Sequence, residues 1–263
     1  MPQVQAAIGS SLLAVDAVSV HFGGIVALDG VSFDIAPGQI AGLIGPNGAG
    51  KTTLFNCLSR LYNCNEGQIV FDGKPLLDFA QHRIAELGIG RTFQNLALFR
   101  TMTVRNNVML GLHCRTRTGF LSNALRLPRV AREERASAEK TRELIAFLGL
   151  DAAAEKRVSD LPFGTQKRVE LARALASEPK LLLLDEPASG LNHEEVGELG
   201  KLIRDIRDRL GVTVLLVEHH MSLVMSVSDK VVALNFGRKI AEGTPAEVQQ
   251  HPAVVQAYLG TSA

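Results

Sequence analysis

The alternation of apolar and polar residues near the start of the chain predicts antiparallel β-strands. In residues 18–22 and again in residues 31–35, apolar side chains alternate with polar ones, as expected for half-buried strands. Residues 68–71 form a further short strand, and a hairpin signal, Asp72-Gly73, follows them. Residues 1–11 lack such a pattern and are predicted to be a flexible tail. These antiparallel strands come before a core of parallel strands, which is described next. The sequence therefore predicts a mixed architecture.

Three apolar runs without alternation predict strands that are buried on both faces. They cover residues 40–44, 181–184 and 212–217, and such runs are typical of parallel sheets covered by helices. Apolar residues at helical spacing predict helices over residues 166–177 and from about 193 to 210. Strands that alternate with helices indicate an α/β fold.

The remaining segments complete the predicted element order. Asn192, with Glu195 three residues later, fits a variant of the capping box at the start of the helix near residue 193. The other predictions are a helix over residues 79–87, mostly helical structure from about 102 to 150, a hairpin formed by residues 231–234 and 238–241, and one or two helices over residues 245–259.

A glycine-rich segment between a buried strand and a helix predicts a nucleotide site. It follows the strand at 40–44 and precedes a helix-like run at 54–61, which is the context of a phosphate-binding loop. Glycines let backbone N–H groups approach an anion closely, and the helix start adds its unpaired N–H groups. A lysine can contact the β- and γ-phosphates, and a threonine hydroxyl can bind Mg²⁺. The predicted phosphate-binding residues are Gly45, Pro46, Asn47, Gly48, Ala49, Gly50, Lys51, Thr52 and Thr53.

Two acidic residues end the run of leucines at 181–184. Ligands of open α/β sheets bind beyond the carboxyl ends of the strands. Asp185 and Glu186 can therefore meet the phosphate loop if their strands are neighbours. Asp185 is predicted to hold Mg²⁺ through water, and Glu186 to polarise an attacking water.

Two histidines and a glutamine are further candidates. His219 and His220 follow the strand at 212–217, where an imidazole can hydrogen-bond a γ-phosphate or serve as a structural hydrogen-bonding group. Spacing alone does not choose between the two histidines. Gln94 can bind a metal or orient water through its amide.

Composition narrows the class of protein. A chain of 263 residues that is 46% hydrophobic can bury a substantial core, and a net charge of +1 gives no basic field that would favour a nucleic-acid partner. Three irregularly spaced cysteines favour a reducing compartment. The first residues show neither a basic region nor a long apolar stretch, so a signal peptide is not expected. No run approaches about 18 apolar residues, so any membrane role is expected to be peripheral.

One segment departs from this balanced charge. Residues 115–142 carry eight Lys or Arg against three Glu. Solvated helix faces explain such a run. Contact with a membrane-embedded partner or with lipid headgroups is the alternative.

The order of these motifs resembles that of ABC-type ATPases over nearly the whole chain. Residues 45–53 match the Walker A loop, Gln94 the Q-loop glutamine, residues 161–166 the signature, residues 181–186 Walker B, residues 189–192 the D-loop and His219 the switch histidine. Phe22 stands where the family places an aromatic ring against adenine; a buried strand phenylalanine is the alternative.

The resemblance implies a fold, its divisions and its cofactors. The fold is a P-loop NTPase core of the α/β class, with a mixed sheet, an antiparallel β subdomain and an inserted α-helical subdomain. The implied divisions are a tail at 1–11, an ATPase domain at 12–246 with the helical subdomain at about 95–163, and a helical extension at 247–263. The implied cofactors are ATP and Mg²⁺. Thr52, Gln94 and Asp185 are the implied metal ligands, and Glu186, His219 and Gln94 the implied catalytic residues.

Within that family, the chain resembles the ATPase subunits of high-affinity branched-chain amino-acid importers. The stretches that carry this likeness are residues 21–24, 91–95, 98–99, 102–104 with Asn107, 161–174, an insertion near 113–135, and the ending at 257–260. The implied function is ATP hydrolysis that energises uptake of aliphatic amino acids, at the cytoplasmic face of the inner membrane. The implied partners are a second ATPase subunit, two membrane permease subunits and, indirectly, a solute-binding protein.

The signature departs from the family pattern. Pro162 replaces its serine, Phe163 replaces its first glycine, and Asn192 replaces the D-loop aspartate. Proline has neither a hydroxyl nor an N–H to donate. Gly164 is retained with the helix behind it, so contact in trans with a partner's γ-phosphate is expected to be weakened but not lost. The departure favours a different, better-conforming ATPase partner over an identical one.

Two other functions remain alternatives. The ATPase of a lipid or lipopolysaccharide exporter is similar around Gln94, but an intact serine-glycine-glycine signature is expected there. A soluble ABC ATPase that acts on ribosomes or DNA usually carries two ATPase domains or a long coiled coil. This chain has one Walker A loop and no sustained heptads.

Overall fold

The computed structural model describes residues 11–93, 96–115 and 128–259. Gln94, Asn95, the tail at 1–10 and residues 116–127 lie outside the described residues. The strands are β1 (Leu13–Phe22), β2 (Ile25–Ile35), β3 (Ile40–Ile44), β4 (Glu66–Phe71), β5 (Lys74–Pro75), β6 (Ile89–Arg91), β7 (Leu181–Asp185), β8 (Thr213–Val217), β9 (Lys230–Asn235) and β10 (Arg238–Gly243).

The helices connect and cover these strands. They are α1 (Lys51–Leu58), α2 (Ile84–Leu87), α3 (Val104–Gly111), α4 (Pro128–Phe147), α5 (Phe163–Ala176), α6 (His193–Leu210), α7 (Met221–Val227), α8 (Pro245–Gln250) and α9 (Pro252–Leu259). Short 3₁₀ turns lie at Leu76–Asp78, Gln81–Arg83, Leu112–Arg115, Asp151–Ala153 and Val158–Asp160.

The central sheet has six strands in the order β10-β9-β3-β8-β7-β6. Five of them are parallel, and β10 pairs antiparallel with β9 at one edge. The register aligns Leu43 of β3 with Val217 of β8, and Val217 with Asp185 of β7. The three strands therefore end at one level, which brings the segments that follow them to the same edge of the sheet.

Side chains of the central strands pack into two hydrophobic cores. Leu182 and Leu184 of β7 pack into one buried cluster, whereas Leu181 and Leu183 pack into the other, and all four are fully buried. Burial on both faces explains why the sequence of this strand shows no alternation. The prediction of buried parallel strands is confirmed.

A second sheet is antiparallel, in the order β2-β1-β4-β5. β1 begins five residues earlier than the alternation at 18–22 indicates, because shifts of register after Val15 and Val18 interrupt the period. Ala17 sits at this irregularity with φ 47°, and its N–H donates to Ser32 Oγ at 2.7 Å. The mixed sheet and the separate antiparallel sheet confirm the predicted fold class.

The helices of the segment between β6 and β7 pack on one another. α3, α4 and α5 form mutual contacts, and Gly111 of α3 approaches the backbone of α5 at Arg173 so closely that a Cβ would clash there. Asn107, fully buried in α3, accepts from the N–H of Phe99 at 2.9 Å and donates to the carbonyls of Phe99 and Thr103, both at 3.0 Å. These hydrogen bonds of the Asn107 amide hold Phe99 and Thr103, which precede α3, against the helix.

The predicted helix over residues 79–87 is wrong. Only Ile84–Leu87 is α-helical, after the 3₁₀ turn Gln81–Arg83. Phe79 and Ala80 have extended ψ angles of 141° and 149°. Arg60 Nε donates to the carbonyl of Phe79 at 3.1 Å, so a tertiary contact uses an acceptor that a helix would have needed.

One other helix boundary moves by three residues, and one is found as predicted. α5 begins at Phe163 rather than at 166, because Pro162 with ψ 151° serves as its N-cap. The helix predicted from 193 to 210 is found as α6, and Asn192 and Glu195 form the expected capping box.

Candidate functional site

The glycine-rich segment joins β3 to α1 and wraps tightly against neighbouring backbone. Gly45 has φ 152°, and a Cβ there would clash with the carbonyl oxygen of Leu234. Gly50 has φ 101°, and a Cβ there would lie 2.7 Å from the carbonyl oxygen of Ala27. Only glycine satisfies both demands.

The N-terminus of α1 faces this loop. Gly50 is its N-cap and has no side chain to bond the first-turn N–H groups of Lys51, Thr52 and Thr53. A helix start with such N–H groups binds anions, because their dipoles align with the helix axis. The loop therefore has the geometry of a phosphate site.

Lys51 is buried under the loop. Its Nζ donates to the carbonyls of Gly45 at 2.7 Å and Pro46 at 2.9 Å. Burial lowers the pKa of Lys51, while the charges of Glu186 and Asp185 act to raise it. The two acids at the end of β7 are thus close enough to act on the lysine of the loop, and the predicted convergence of loop and acids is observed.

Asp185 forms a buried ion pair that no pattern in the sequence predicts. Asp185 Oδ2 lies 2.8 Å from Arg91 Nη2, and both side chains are at least nine-tenths buried. Arg91 Nη1 also donates to Asn56 Oδ1 and Ser59 Oγ, both at 2.9 Å, and to the carbonyl of Phe55 at 3.3 Å. One guanidinium therefore ties the end of β6 to the acid of β7 and to the helix behind the loop.

Two aromatic rings flank the same guanidinium. Arg91 Cζ lies 5.2 Å from the ring centre of Phe93 and 5.7 Å from that of Phe55. Phe93 directly precedes Gln94, which lies outside the described residues. The only sequence signal for Arg91 was its place in the stretch that resembles the family, because pairing partners 35 and 94 residues away leave no local pattern.

Glu186 and His219 contact each other. His219 Nε2 lies 2.5 Å from Glu186 Oε1. Glu186 has φ 48°, in the left-handed region that non-glycine residues rarely occupy and that concentrates at functional sites. The structure therefore distinguishes the two histidines: His219 meets the acid, whereas His220 serves as the N-cap position of α7.

The two residues that precede Gln94 form hydrogen bonds with other elements. The N–H of Phe93 donates to Glu170 Oε1 of α5 at 3.2 Å, and the hydroxyl of Thr92 accepts from the N–H of Asp185 at 3.4 Å. Burial raises the pKa of Glu170, while backbone hydrogen bonds from Phe93 and Ala97 lower it. Sequence reasoning missed Glu170, because a glutamate inside an amphipathic helix is ordinarily exposed.

Phe22 lies at the end of β1 with 45% of its surface exposed. Its ring meets Tyr62 edge to face, with ring centres 5.1 Å apart and an interplanar angle of 72°. A buried strand phenylalanine is therefore excluded, and an open aromatic face remains. Its use by adenine stays a prediction.

Phe163 and Gly164, at the start of α5, pack on residues 190–195 of the same chain. Phe163, 46% exposed, lies against Gly190, where an added Cβ would be 2.8 Å from the ring. Lys167 Nζ sits 5.5 Å from the same ring centre. A Cβ on Gly164 would lie 2.6 Å from Glu195 Oε1, so this glycine is also required by close packing within the chain.

The arrangement fits a nucleotide-bound magnesium ion. The described residues contain no group of three or more His, Cys, Asp or Glu that could hold a metal. Mg²⁺ bound to nucleotides takes one or two protein ligands and completes its shell with phosphate oxygens and water. The hydroxyl of Thr52, in the first turn of α1, and the carboxylate of Asp185 supply such a set. In the described ranges, no helix combines the length and apolar character that crossing a membrane requires.

Comparison with known protein families gives two matches. Residues 28–189 match the ABC transporter family, and residues 238–263 match the branched-chain amino acid ATP-binding cassette transporter family. The first match covers more than half of the chain.

Individual relatives span nearly the whole chain. The high-affinity branched-chain amino acid transport ATP-binding proteins BraF of Pseudomonas aeruginosa and LivG of Escherichia coli K12 are 41% and 40% identical to it, over 95% of this chain and 98% of each relative. Among solved structures, the ADP conformation of MJ1267, an ATP-binding cassette of an ABC transporter, is similar with a TM-score of 0.83 and 30% identity. That alignment covers 95% of this chain and 99% of MJ1267.

Replacing Arg91 tests the buried ion pair. We expect Arg91→Met to lower the free energy of unfolding by about 3–5 kcal/mol, because it leaves the Asp185 carboxylate buried without its cation. The Arg91→Met/Asp185→Asn double variant should lose less than the two single variants together. Urea denaturation measures both.

Arg83→Met is the matched control, because Arg83 also pairs with an acid, Glu86, and stacks on a ring, Phe79, but is 54% exposed. It should cost less than about 1 kcal/mol. Equal losses for the two arginines would contradict a special role for the buried pair.

Proposed function

The chain belongs to the ABC transporter family of ATP-binding proteins, and we propose that it hydrolyses ATP to drive uptake of branched-chain amino acids through membrane permease subunits. The observation that carries the catalytic part is the contact between Glu186 and His219 at the carboxyl ends of neighbouring parallel strands. This pair lies at the sheet edge where the glycine-rich loop binds phosphate.

The loop and its helix bind the triphosphate. The N–H groups of residues 48–53 surround the phosphates, and Lys51 exchanges its bonds to the loop carbonyls for the β- and γ-phosphate oxygens. Bound Mg²⁺ would neutralise developing negative charge on the phosphates. Thr52, Asp185 (through water) and Gln94 would hold it, and the ion pair with Arg91 would orient the carboxylate of Asp185. Phe22 stacks on adenine, since it presents an exposed ring.

Glu186 and His219 act on the water and the γ-phosphate. The carboxylate of Glu186 accepts a hydrogen bond from the attacking water and orients it in line. His219 turns from Glu186 to hydrogen-bond the γ-phosphate. Gln94 senses the same phosphate and connects it to the helical segment at about 95–163, which we regard as a subdomain inserted in an ATPase domain at 12–246 and followed by an extension at 247–263.

A second ATPase chain completes each site. The uncapped start of α5, with Gly164 in its first turn, binds the partner's nucleotide in trans. Pro162 provides no hydroxyl and Phe163 occupies space against Gly190, so this chain's contribution is weaker than that of an intact signature. A partner with an intact signature would restore one tight site, which favours a different chain as partner, with an identical chain as the alternative.

The transported substrate follows from the relatives. BraF and LivG are named for branched-chain amino-acid transport, and the match at 238–263 points to the same group. The permeases and the solute-binding protein are inferred partners, and the chain would lie peripherally on the cytoplasmic face of the inner membrane. A lipid exporter ATPase and a soluble ABC ATPase remain the alternatives.

Glu186→Gln tests the catalytic assignment. We expect ATP binding to persist, because the loop and Lys51 are unchanged, and kcat to fall at least about 100-fold, because an amide cannot act as the base. Filter binding of ATP and phosphate release measure the two steps. Glu194→Gln, an exposed change in the first turn of α6, is the control and should keep kcat. Turnover of Glu186→Gln at the wild-type rate would make the assignment wrong.

Pro162→Ser tests the signature. The hydroxyl and the restored N–H should strengthen ATP-driven association and raise turnover severalfold. Pro162→Ala restores the N–H alone and separates the two effects. If association, measured by size-exclusion chromatography with ATP, and turnover both stay at the wild-type level, the signature is not weakened by its proline.

Measurements of leucine uptake and of co-purification distinguish amino-acid import from the alternative functions. Cells that lack the chain should take up less radiolabelled leucine, and the wild type but not Glu186→Gln should restore uptake. The chain should co-purify with permease subunits in membrane fractions. Normal leucine uptake without the chain, or its recovery with ribosomes or DNA, would contradict a role in amino-acid import.

A further inference from the structure

A second buried carboxylate lies at the centre of the same sheet edge. Glu218 follows β8 and directly precedes His219, and it is 1% exposed. No side-chain cation pairs with it in the bonds that the structure describes. A buried ionised carboxylate without a cation needs several hydrogen-bond donors to offset its lost hydration.

Backbone N–H groups supply these donors. Glu218 Oε1 accepts from the N–H of Ala188 at 2.6 Å, and Oε2 accepts from the N–H groups of His219 at 3.0 Å and His220 at 3.3 Å. All three partners are hydrogen-bond donors, so both terminal atoms of the Glu218 side chain must be acceptors. A carboxylate does so, whereas the amide of glutamine would turn an NH₂ group toward an N–H.

These bonds join the two segments that carry the contact between Glu186 and His219. Ala188 is two residues beyond Glu186, whose own N–H donates to the carbonyl of Val217 at 2.9 Å. His219 follows Val217 by two residues. Glu218 therefore connects the segments that follow β7 and β8. The contact of Glu186 with His219, at 2.5 Å, connects the same two segments.

We propose that Glu218 is a positioning residue that sets the geometry of Glu186 and His219 and anchors the start of residues 188–192. This rests on the proposed function, in which those two side chains act on ATP and residues 189–192 face the partner ATPase. Because the same carboxylate holds both segments, a displacement of residues 188–192 by the partner changes the pose of His219.

Three variants of Glu218 test the proposal by phosphate release. Glu218→Gln should lower kcat about 10- to 100-fold, the range expected for a displaced catalytic group, with the Kd of a fluorescent ATP analogue changed less than threefold. Glu218→Asp keeps two acceptor oxygens but loses a methylene, and should retain more activity than the isosteric glutamine. Glu218→Ala should be at least as impaired as Glu218→Gln. A role based on side-chain volume predicts that glutamine outperforms aspartate.

The pose of His219 gives a readout that does not depend on activity. In the nucleotide-free chain with labelled histidines, the His219 ring signal is the one that disappears in His219→Ala. Glu218→Gln should shift it. Glu170→Gln is the matched control, since Glu170 is 2% exposed and also accepts a backbone N–H, from Phe93. It should leave the His219 signal in place.

The outcomes separate the two proposals. An unmoved His219 signal with wild-type kcat in Glu218→Gln overturns the positioning role, as do equal shifts in Glu218→Gln and Glu170→Gln. A wild-type chain that neither binds nor hydrolyses ATP overturns the proposed function, while a selective shift of the His219 signal would still support positioning. If Glu218→Gln does not fold, Glu218→Asp replaces it in the test. A shifted His219 signal with a lowered kcat then supports the role, and the absence of both changes overturns it.

Discussion

The parallel register of β3, β8 and β7 is the constraint on which the site depends. Leu43, Val217 and Asp185 lie side by side, so all three strands end at one level. The glycine loop, the pair Glu218-His219 and the pair Asp185-Glu186 then leave the sheet at one edge. The apolar residues buried on both faces hold that register, because a slip by one residue would exchange the two cores.

The two buried carboxylates at this edge, Asp185 and Glu218, have different kinds of partner. Arg91 neutralises Asp185 directly and reaches the helix behind the loop, whereas the partners of Glu218 among the described residues are backbone N–H groups. Each arrangement joins elements that are far apart in sequence. Charges that lose their hydration demand such partners, and here those partners connect neighbouring segments at the points where Glu186 and His219 leave the sheet.

Much of the fold and part of the site could be predicted from sequence, because the relevant signals are local. The glycine loop, the buried strands and the Asn192–Glu195 capping box each depend on neighbouring residues, and the structure contains all of them. The helix expected over 79–87 fails because Arg60 bonds the carbonyl of Phe79. No local pattern reports a partner 19 residues away, and the role of Gln94 stays a prediction.

The sequence by itself determined the family, the α/β architecture and the residue types at the phosphate loop and after the leucine strand. Only the tertiary structure decided that His219 rather than His220 meets Glu186, that Phe22 is exposed, and that Arg91 and Glu218 support the acidic and histidine residues. The physical reason is that these choices depend on contacts across neighbouring strands. Such contacts are set by sheet order and register, and the spacing of residues along one strand does not encode them.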